Sequence, residues 1–206
     1  MTSGFFIAFE GGEGAGKSTQ AKLLADRLVA EGYSVIQTRE PGGTATAEKI
    51  RSVLLDPTIT DLPDRSEALL FAAARADHAQ NLIRPALADG AVVICDRYIE
   101  SSVAYQGYGR NLGGDYIQAL SEWATEGLLP DFTVYLDVPA EVSFDRRKGT
   151  DRMEIQSLDF HVTTQQAFRD LAKNSDKPHI IVDATKPIEQ IAQIIADGVL
   201  AELKNQ

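Results

Sequence analysis

The run Gly11-Gly12-Glu13-Gly14-Ala15-Gly16-Lys17-Ser18 constrains this chain more than any other eight residues in it. It matches the pattern G-x-x-x-x-G-K-[ST], in which a glycine-rich turn aims successive backbone N–H groups at phosphate oxygens. The turn belongs between a buried strand and the N-terminus of a helix, whose positive end faces the same anion. Both flanks are present. The apolar run 5–9 suits a buried parallel strand. Ala21, Leu23, Leu24, Ala25, Leu28 and Val29 fall at helical spacing, and Gly32 ends that helix. Lys17 then brings a positive charge to the β- and γ-phosphates of a nucleotide, and Ser18 brings a hard oxygen for a magnesium ion.

Four more short apolar runs follow, at 35–37, 92–95, 133–136 and 179–182. Polar residues stand at or near the ends of four of the five: Glu10, Asp96, Asp137 and Asp183. The pattern predicts helices over 18–31, 45–55, 65–88, 114–127, 140–148, 159–173 and 187–203. Pro187 suits a helix start, and Ile188, Ile191, Ile195 and Val199 mark the buried stripe behind it. Strands separated by crossover helices give an α/β fold, a doubly wound five-stranded parallel sheet flanked by helices. Ligands then bind outside the carboxyl ends of the strands. The 206 residues are expected to form one domain.

Composition narrows the function. A net charge of −10 argues against a chain that grips nucleic acid by a general basic field. No apolar stretch reaches membrane-spanning length, and no signal peptide is visible, so a cytoplasmic enzyme is expected. The single cysteine, Cys95, lies in an apolar run and reads as a small buried strand residue. His78, His161 and His179 are scattered, show no metal-ligand spacing, and read as surface or structural residues.

The strand ends supply the remaining candidates. Arg39 and Glu40 close the second strand ahead of the turn Pro41-Gly42-Gly43, which can approach an anion closely. Asp96 ends the third strand, where it can face the magnesium, and Arg97 beside it can clamp a phosphate with its planar fork. Phe71 and Arg75 share a helix face, so a ring and a guanidinium together can hold a flat base. Arg146, Arg147, Lys148 and Arg152 surround Gly149 and Thr150. A basic segment of that kind can close as a lid over a moving phosphoryl group. No nucleophile triad or histidine base stands out, and a phosphate-monoester acceptor needs none. Its second pKa is about 6, so its attacking oxygen is already ionised at neutral pH.

Taken in order, these motifs resemble bacterial thymidylate kinases. The resemblance rests on Phe9-Glu10-Gly11 leading into Gly14-Ala15-Gly16-Lys17-Ser18-Thr19, and on Thr38-Arg39-Glu40-Pro41-Gly42-Gly43-Thr44. It continues through Leu70-Phe71-Ala72-Ala73-Ala74-Arg75, Asp96-Arg97-Tyr98, Ala104-Tyr105-Gln106-Gly107 and Asp151-Arg152-Met153-Glu154. It implies a nucleoside monophosphate kinase fold with a short lid at about 146–158. The implied reaction is transfer of the γ-phosphoryl group of ATP to thymidine 5′-monophosphate, with magnesium, by a homodimer.

By the same resemblance, Gly11, Gly12, Glu13, Gly14, Ala15, Gly16, Lys17, Ser18 and Thr19 would hold ATP, with Ser18 and Asp96 toward the metal. Glu13 would approach the sugar 3′-hydroxyl, and Arg97 would bind the acceptor phosphate. Phe71 would stack on thymine, Arg75 would reach its O4, and Ser102 would stand near N3. Tyr105 would crowd the sugar 2′ position, with Gln106 and Glu40 bordering the acceptor site. Gly14 stands where one branch of the family carries an arginine, so this chain resembles the branch whose catalytic arginine comes from the lid. Arg147 and Arg152 are both candidates, beside Lys17 and Arg97, for the catalytic cations.

Two other readings remain open on sequence. One is a different phosphotransferase, such as a deoxynucleoside kinase or a uridylate/cytidylate kinase; a nucleoside acceptor would need a carboxylate base, for which Glu40 is best placed. The other is a non-catalytic nucleotide switch, which would leave Phe71, Arg75, Arg97 and Tyr105 without a task.

Overall fold

Strand β1 (Phe5–Glu10) is buried along its whole length, and the fold is built around it in the computed structural model, which describes residues 4–139, 142–143 and 151–204. Alternate β1 side chains point to opposite faces, and both faces are covered. Phe5, Ile7 and Phe9 pack on one side against Leu24 and Leu28 of α1 (Lys17–Ala30) and Ile191 and Ile195 of the last helix. Phe6 and Ala8 pack on the other side against Ile83, Tyr98 and Val103. That is why the run is continuously apolar rather than alternating. Each of the large side chains among them, fully buried, contributes roughly 1.5–3 kcal/mol of transfer free energy.

The remaining strands are β2 (Val35–Arg39), β3 (Val92–Asp96), β4 (Phe132–Asp137) and β5 (His179–Asp183). They form a five-stranded sheet in the order β2-β3-β1-β4-β5, every pairing parallel. The order reverses beside β1, so the crevice between the ends of β1 and β3 is the switch point where ligands bind. Register brings the polar strand ends together there: Phe9 is level with Asp96, and Arg39 with Asp96 from the other side.

Helices fill the crossovers. They are α2 (Ala45–Leu55), α3 (Asp64–His78), α4 (Arg84–Ala88), α5 (Ile99–Ser102), α6 (Gly114–Ala124), α7 (Leu158–Asn174) and α8 (Ile188–Leu203). Thr44 caps α2 by accepting from the Ala47 N–H, and Ser157 caps α7 by accepting from Phe160.

The five-stranded parallel α/β expectation matches, and the differences are local. Strand β2 runs to Arg39, not to 37, because the Thr38 and Arg39 backbones pair with Cys95 and Asp96 of β3. The single helix expected over 65–88 is α3, a π-helical turn (Ala79–Ile83) and α4 in succession. The helix expected to reach 127 stops at Ala124, where Glu126 and Gly127 take positive φ. The chain after β3, for which the apolar pattern predicted no element, forms α5 and a π-helical segment (Val103–Gly109). Of the helix expected over 140–148 only 142–143 lie within the described residues, and of the lid expected at about 146–158 only 151–158, mostly a turn.

Candidate active site

The phosphate loop leaves β1 through Gly11, whose φ is +137°. A side chain there would sit 2.5 Å from the Leu136 carbonyl oxygen, so only glycine lets the loop pass β4. The loop ends at Gly16, also at positive φ, and α1 starts with Lys17. Lys17 is buried; its Nζ donates to the carbonyls of Gly11 at 3.1 Å and Gly12 at 2.8 Å. Burial, and then the neighbouring Arg97 charge, push its ammonium down to about 8. The Ser18 hydroxyl donates to the Asp96 carboxylate at the end of β3.

A cleft of about 560 Å³ opens beside this loop and carries the second half of the site. Its phosphate end is lined by Glu13, Gly14, Gly16, Lys17, Ser18, Thr19, Asp96 and Arg97. Its far end is lined by Glu40, Phe71, Arg75, Ser102, Tyr105 and Gln106. Residues from the loop after β1, from the end of β2, from α3 and from the segment after β3 therefore meet in one space.

Arg97 bridges the two ends from a left-handed backbone, φ +72°. Its Nη1 donates to the Gly11 carbonyl and the Ser101 hydroxyl, each at 3.0 Å, and its Nη2 to Glu13 at 2.7 Å and the Tyr105 hydroxyl at 3.2 Å. Burial alone would raise the Glu13 carboxyl, but Arg97 and Lys17 outweigh it and hold Glu13 below its ordinary value. Behind Arg97, the fully buried Glu10 accepts from the backbone N–H groups of Tyr98 and Ser101 and from the Ser101 hydroxyl. Burial raises its carboxyl.

At the far end Arg75 is 2% exposed and fixed on every side. Its Nε donates to Glu40 at 2.7 Å, Nη1 to Ser121 at 3.1 Å, and Nη2 to the Tyr98 carbonyl and the Ser102 hydroxyl at 3.0 Å. Phe71, one turn earlier on α3, is partly buried and turns its ring into the cleft wall. Gln106 donates to Glu67 at 2.9 Å. Tyr105 is wedged between Phe160 and Phe168, with ring centroids 6.0 and 5.9 Å away. The cleft thus sets Lys17 and Arg97 with Glu13 and Asp96 at one end, and the Phe71 and Tyr105 rings beside Arg75, Glu40, Ser102 and Gln106 at the other.

Within the loop, the Gly11 and Gly12 carbonyls accept from Lys17 Nζ, and Ala15 is buried. Arg147 falls outside the described residues. The structure does not bring Arg152 to the cleft as a lid cation. It is 7% exposed, with Nε on the Leu54 carbonyl at 2.8 Å and Nη1 on Glu67 at 2.6 Å. The reason is the fully buried Glu67 carboxylate, which draws Arg152, Arg110 and Gln106 together and stays below its ordinary value despite burial.

Sequence reasoning missed Glu67, Arg51, Ser101 and His78. Glu67 had a signal: it continues the Phe71–Arg75 spacing one turn back along the same helix face. Arg51 lines the cleft and donates to the Pro41 carbonyl at 2.8 Å, which no local pattern announces.

The donor set suits a magnesium ion held partly by the protein. Ser18 and Asp96 present hard oxygens side by side at the mouth of the phosphate loop. No group of three or more His, Cys, Asp or Glu side chains placed to hold a metal ion occurs among the described residues. No helix among the described residues is long and apolar enough to cross a membrane.

Comparison with known proteins identifies the family. The profile of the family described as thymidylate kinase matches residues 9–195. A thymidylate kinase of Caulobacter vibrioides is 45% identical over 206 residues, covering 98% of this chain and 99% of that protein. One from Geotalea uraniireducens is 44% identical, covering 97% and 98%. One from an Exiguobacterium species is 42% identical, covering 98% and 97%. A profile match from β1 into the last helix, and relatives aligned end to end at such identity, leave one conclusion: this chain belongs to the thymidylate kinase family.

Proposed function

We propose that the cleft transfers the γ-phosphoryl group of ATP to thymidine 5′-monophosphate, giving thymidine 5′-diphosphate and ADP. The observation that carries this reading is the continuity of the phosphate loop with a second pocket bearing its own arginine and aromatic ring. A bare nucleotide switch has no need of that second pocket.

In this reading the phosphates of ATP lie on the loop 11–19, with Lys17 beside the β- and γ-phosphates. Ser18 and Asp96 would hold magnesium, which when bound offsets phosphate charge and orients the β- and γ-oxygens. Arg97 receives the acceptor phosphate, with Glu13 and Tyr105 against the sugar. Phe71 stacks on the base while Arg75, Ser102, Gln106 and Glu40 frame its polar edge. An ionised acceptor oxygen forms a bond to the γ-phosphorus as the bond to the β–γ bridging oxygen breaks, and that electron pair leaves on ADP. No general base is required, and no histidine lines the cleft among the described residues. Positioning and cations therefore carry the catalysis.

The lid charge is assigned to Arg147, since Arg152 is engaged with Glu67 and Leu54. A homodimer is part of the proposal. Tyr116 and Trp123, seven residues apart on one face of α6, are each 79% exposed, which supports a covered apolar surface. A cytoplasmic location agrees with a lone cysteine, buried and free.

A panel of nucleoside monophosphates and nucleosides, with ATP and coupled detection of ADP, tests the reaction. Thymidine monophosphate should be preferred. A preference for uridine or cytidine monophosphate, or for thymidine itself, would replace it with one of the neighbouring kinases.

A further inference from the structure

We infer that His78 is a positioning residue for the acceptor base, acting through Glu40 on Arg75. The inference rests on the proposed role of Arg75 at the base edge and adds a residue to it.

His78 closes α3, three residues after Arg75, and is fully buried. Its Nδ1 lies 3.0 Å from Glu40 Oε1, while Glu40 Oε2 takes the Arg75 Nε–H at 2.7 Å. Facing that guanidinium, the Glu40 carboxylate only accepts, so Nδ1 carries the hydrogen. The opposite nitrogen, Nε2, is 2.7 Å from the Thr38 hydroxyl. The ring has no freedom to turn. A side chain at Gly43 would meet Nε2 at 2.5 Å and Thr38 Oγ1 at 2.6 Å, so the glycine turn closes directly over the imidazole.

The geometry fixes direction. Arg75 donates from Nη2 to the Tyr98 carbonyl and to the Ser102 hydroxyl at the cleft wall, from Nη1 to Ser121, and from Nε to one Glu40 oxygen. Of the four acceptors around Arg75, Glu40 is the one carboxylate, and bound at one oxygen only it could still rotate about that contact. His78 holds the second oxygen, fixes the carboxylate plane, and so completes the frame that orients the Arg75 fork. Directional N–H donors recognise a ring carbonyl and oppose an amino group at the same place. His78 therefore helps the cleft prefer a pyrimidine with a 4-carbonyl while touching no ligand.

Three substitutions separate this role from simple packing. His78→Asn places an amide N–H where Nδ1 was and gives up Thr38. His78→Gln reaches toward Thr38 and gives up the donor to Glu40. His78→Ala gives up both. Calorimetric Kd values for thymidine monophosphate and for ATP, with kcat, are measured on each folded variant. The expected result is Asn within about threefold of wild type for thymidine monophosphate, and Gln weakened at least about tenfold. ATP binding and kcat should stay near wild type in both, with the relative affinity for deoxycytidine monophosphate rising in Gln. Equal effects of Asn and Gln, or equal losses for both nucleotides, would overturn the inference. Arg75→Lys is the control. If it leaves base preference unchanged, the base-reading role of Arg75 fails and the inference falls with it. If it removes the preference while both His78 variants keep it, only the inference on His78 is wrong.

Discussion

Arg97 Nη2 and the Glu13 carboxylate meet at 2.7 Å where the phosphate loop adjoins the second pocket, with side-chain exposures of 14% and 21%. One residue comes from the loop after β1 and the other from the end of β3, so the pair ties the two halves of the cleft together. An acceptor phosphate at Arg97 must share the guanidinium with Glu13. Glu13→Ala should therefore weaken sugar recognition, yet tighten inorganic phosphate binding at Arg97 in the absence of acceptor. Phosphate competition against acceptor binding checks it, and weaker phosphate binding in the variant would exclude this balance.

Lys17→Ala should lower the single-turnover rate by about 10²–10³-fold, the typical loss of one charge-stabilising donor, with the fold retained. Because burial disfavours its charged form, removing Lys17 should leave Tm unchanged or slightly higher. A folded variant with near-wild-type rate would remove Lys17 from the clamp.

The depressed Lys17 ammonium makes a pH prediction. Its value falls from the ordinary 10.5 to about 8 in the folded chain, so the unfolded chain binds more protons between those limits. This group's contribution to stability therefore rises as pH climbs from about 8 toward 10.5. ATP binding runs the other way: its phosphates favour the charged form, so affinity should fall above about pH 8, with proton uptake on binding there. Calorimetry in buffers of different ionisation enthalpy reads that uptake, which should vanish in Lys17→Ala.

Phe71→Ala should weaken thymidine monophosphate by roughly 1–3 kcal/mol, the usual worth of base stacking on an aromatic ring, while ATP affinity holds. Tyr105→Phe should keep the preference for deoxyribose, since the ring stays wedged between Phe160 and Phe168. It should raise the acceptor KM a few-fold, because the hydroxyl no longer meets Arg97 and Glu13. Tyr105→Ala should lower the deoxy-over-ribo ratio of kcat/KM; an unchanged ratio would end its sugar role.

Arg152 and Arg147 should part company. Arg152→Ala leaves Glu67 with one fewer charged partner and should cost about 1.5–3 kcal/mol of stability. For a chain of this size that is roughly 3–12 °C in Tm. Its kcat should stay within a few-fold of wild type. Arg147→Ala should do the reverse, lowering kcat with little change in Tm or acceptor affinity. Thermal melts and single-turnover rates on both variants decide it.

What the sequence determined by itself was whatever is local. The phosphate loop, its strand and its helix are contiguous, so glycine spacing and apolar periodicity describe them completely. The same holds for Phe71 and Arg75, one helical turn apart, and for the polar ends of parallel strands, which converge wherever such a sheet forms. Tertiary structure decided the rest. Whether Arg152 reached the cleft or the interior depended on Glu67, 85 residues earlier in the chain. Whether His78 was an exposed helix end or the support of Glu40 depended on a turn 35 residues away folding over it. The segment 99–109 escaped apolar patterning because it is buried among Arg97, Glu67 and Phe160, where hydrogen bonds and ring contacts replace a single apolar stripe. A buried charge is placed by its partner, and the partner of a buried charge is seldom its neighbour in sequence.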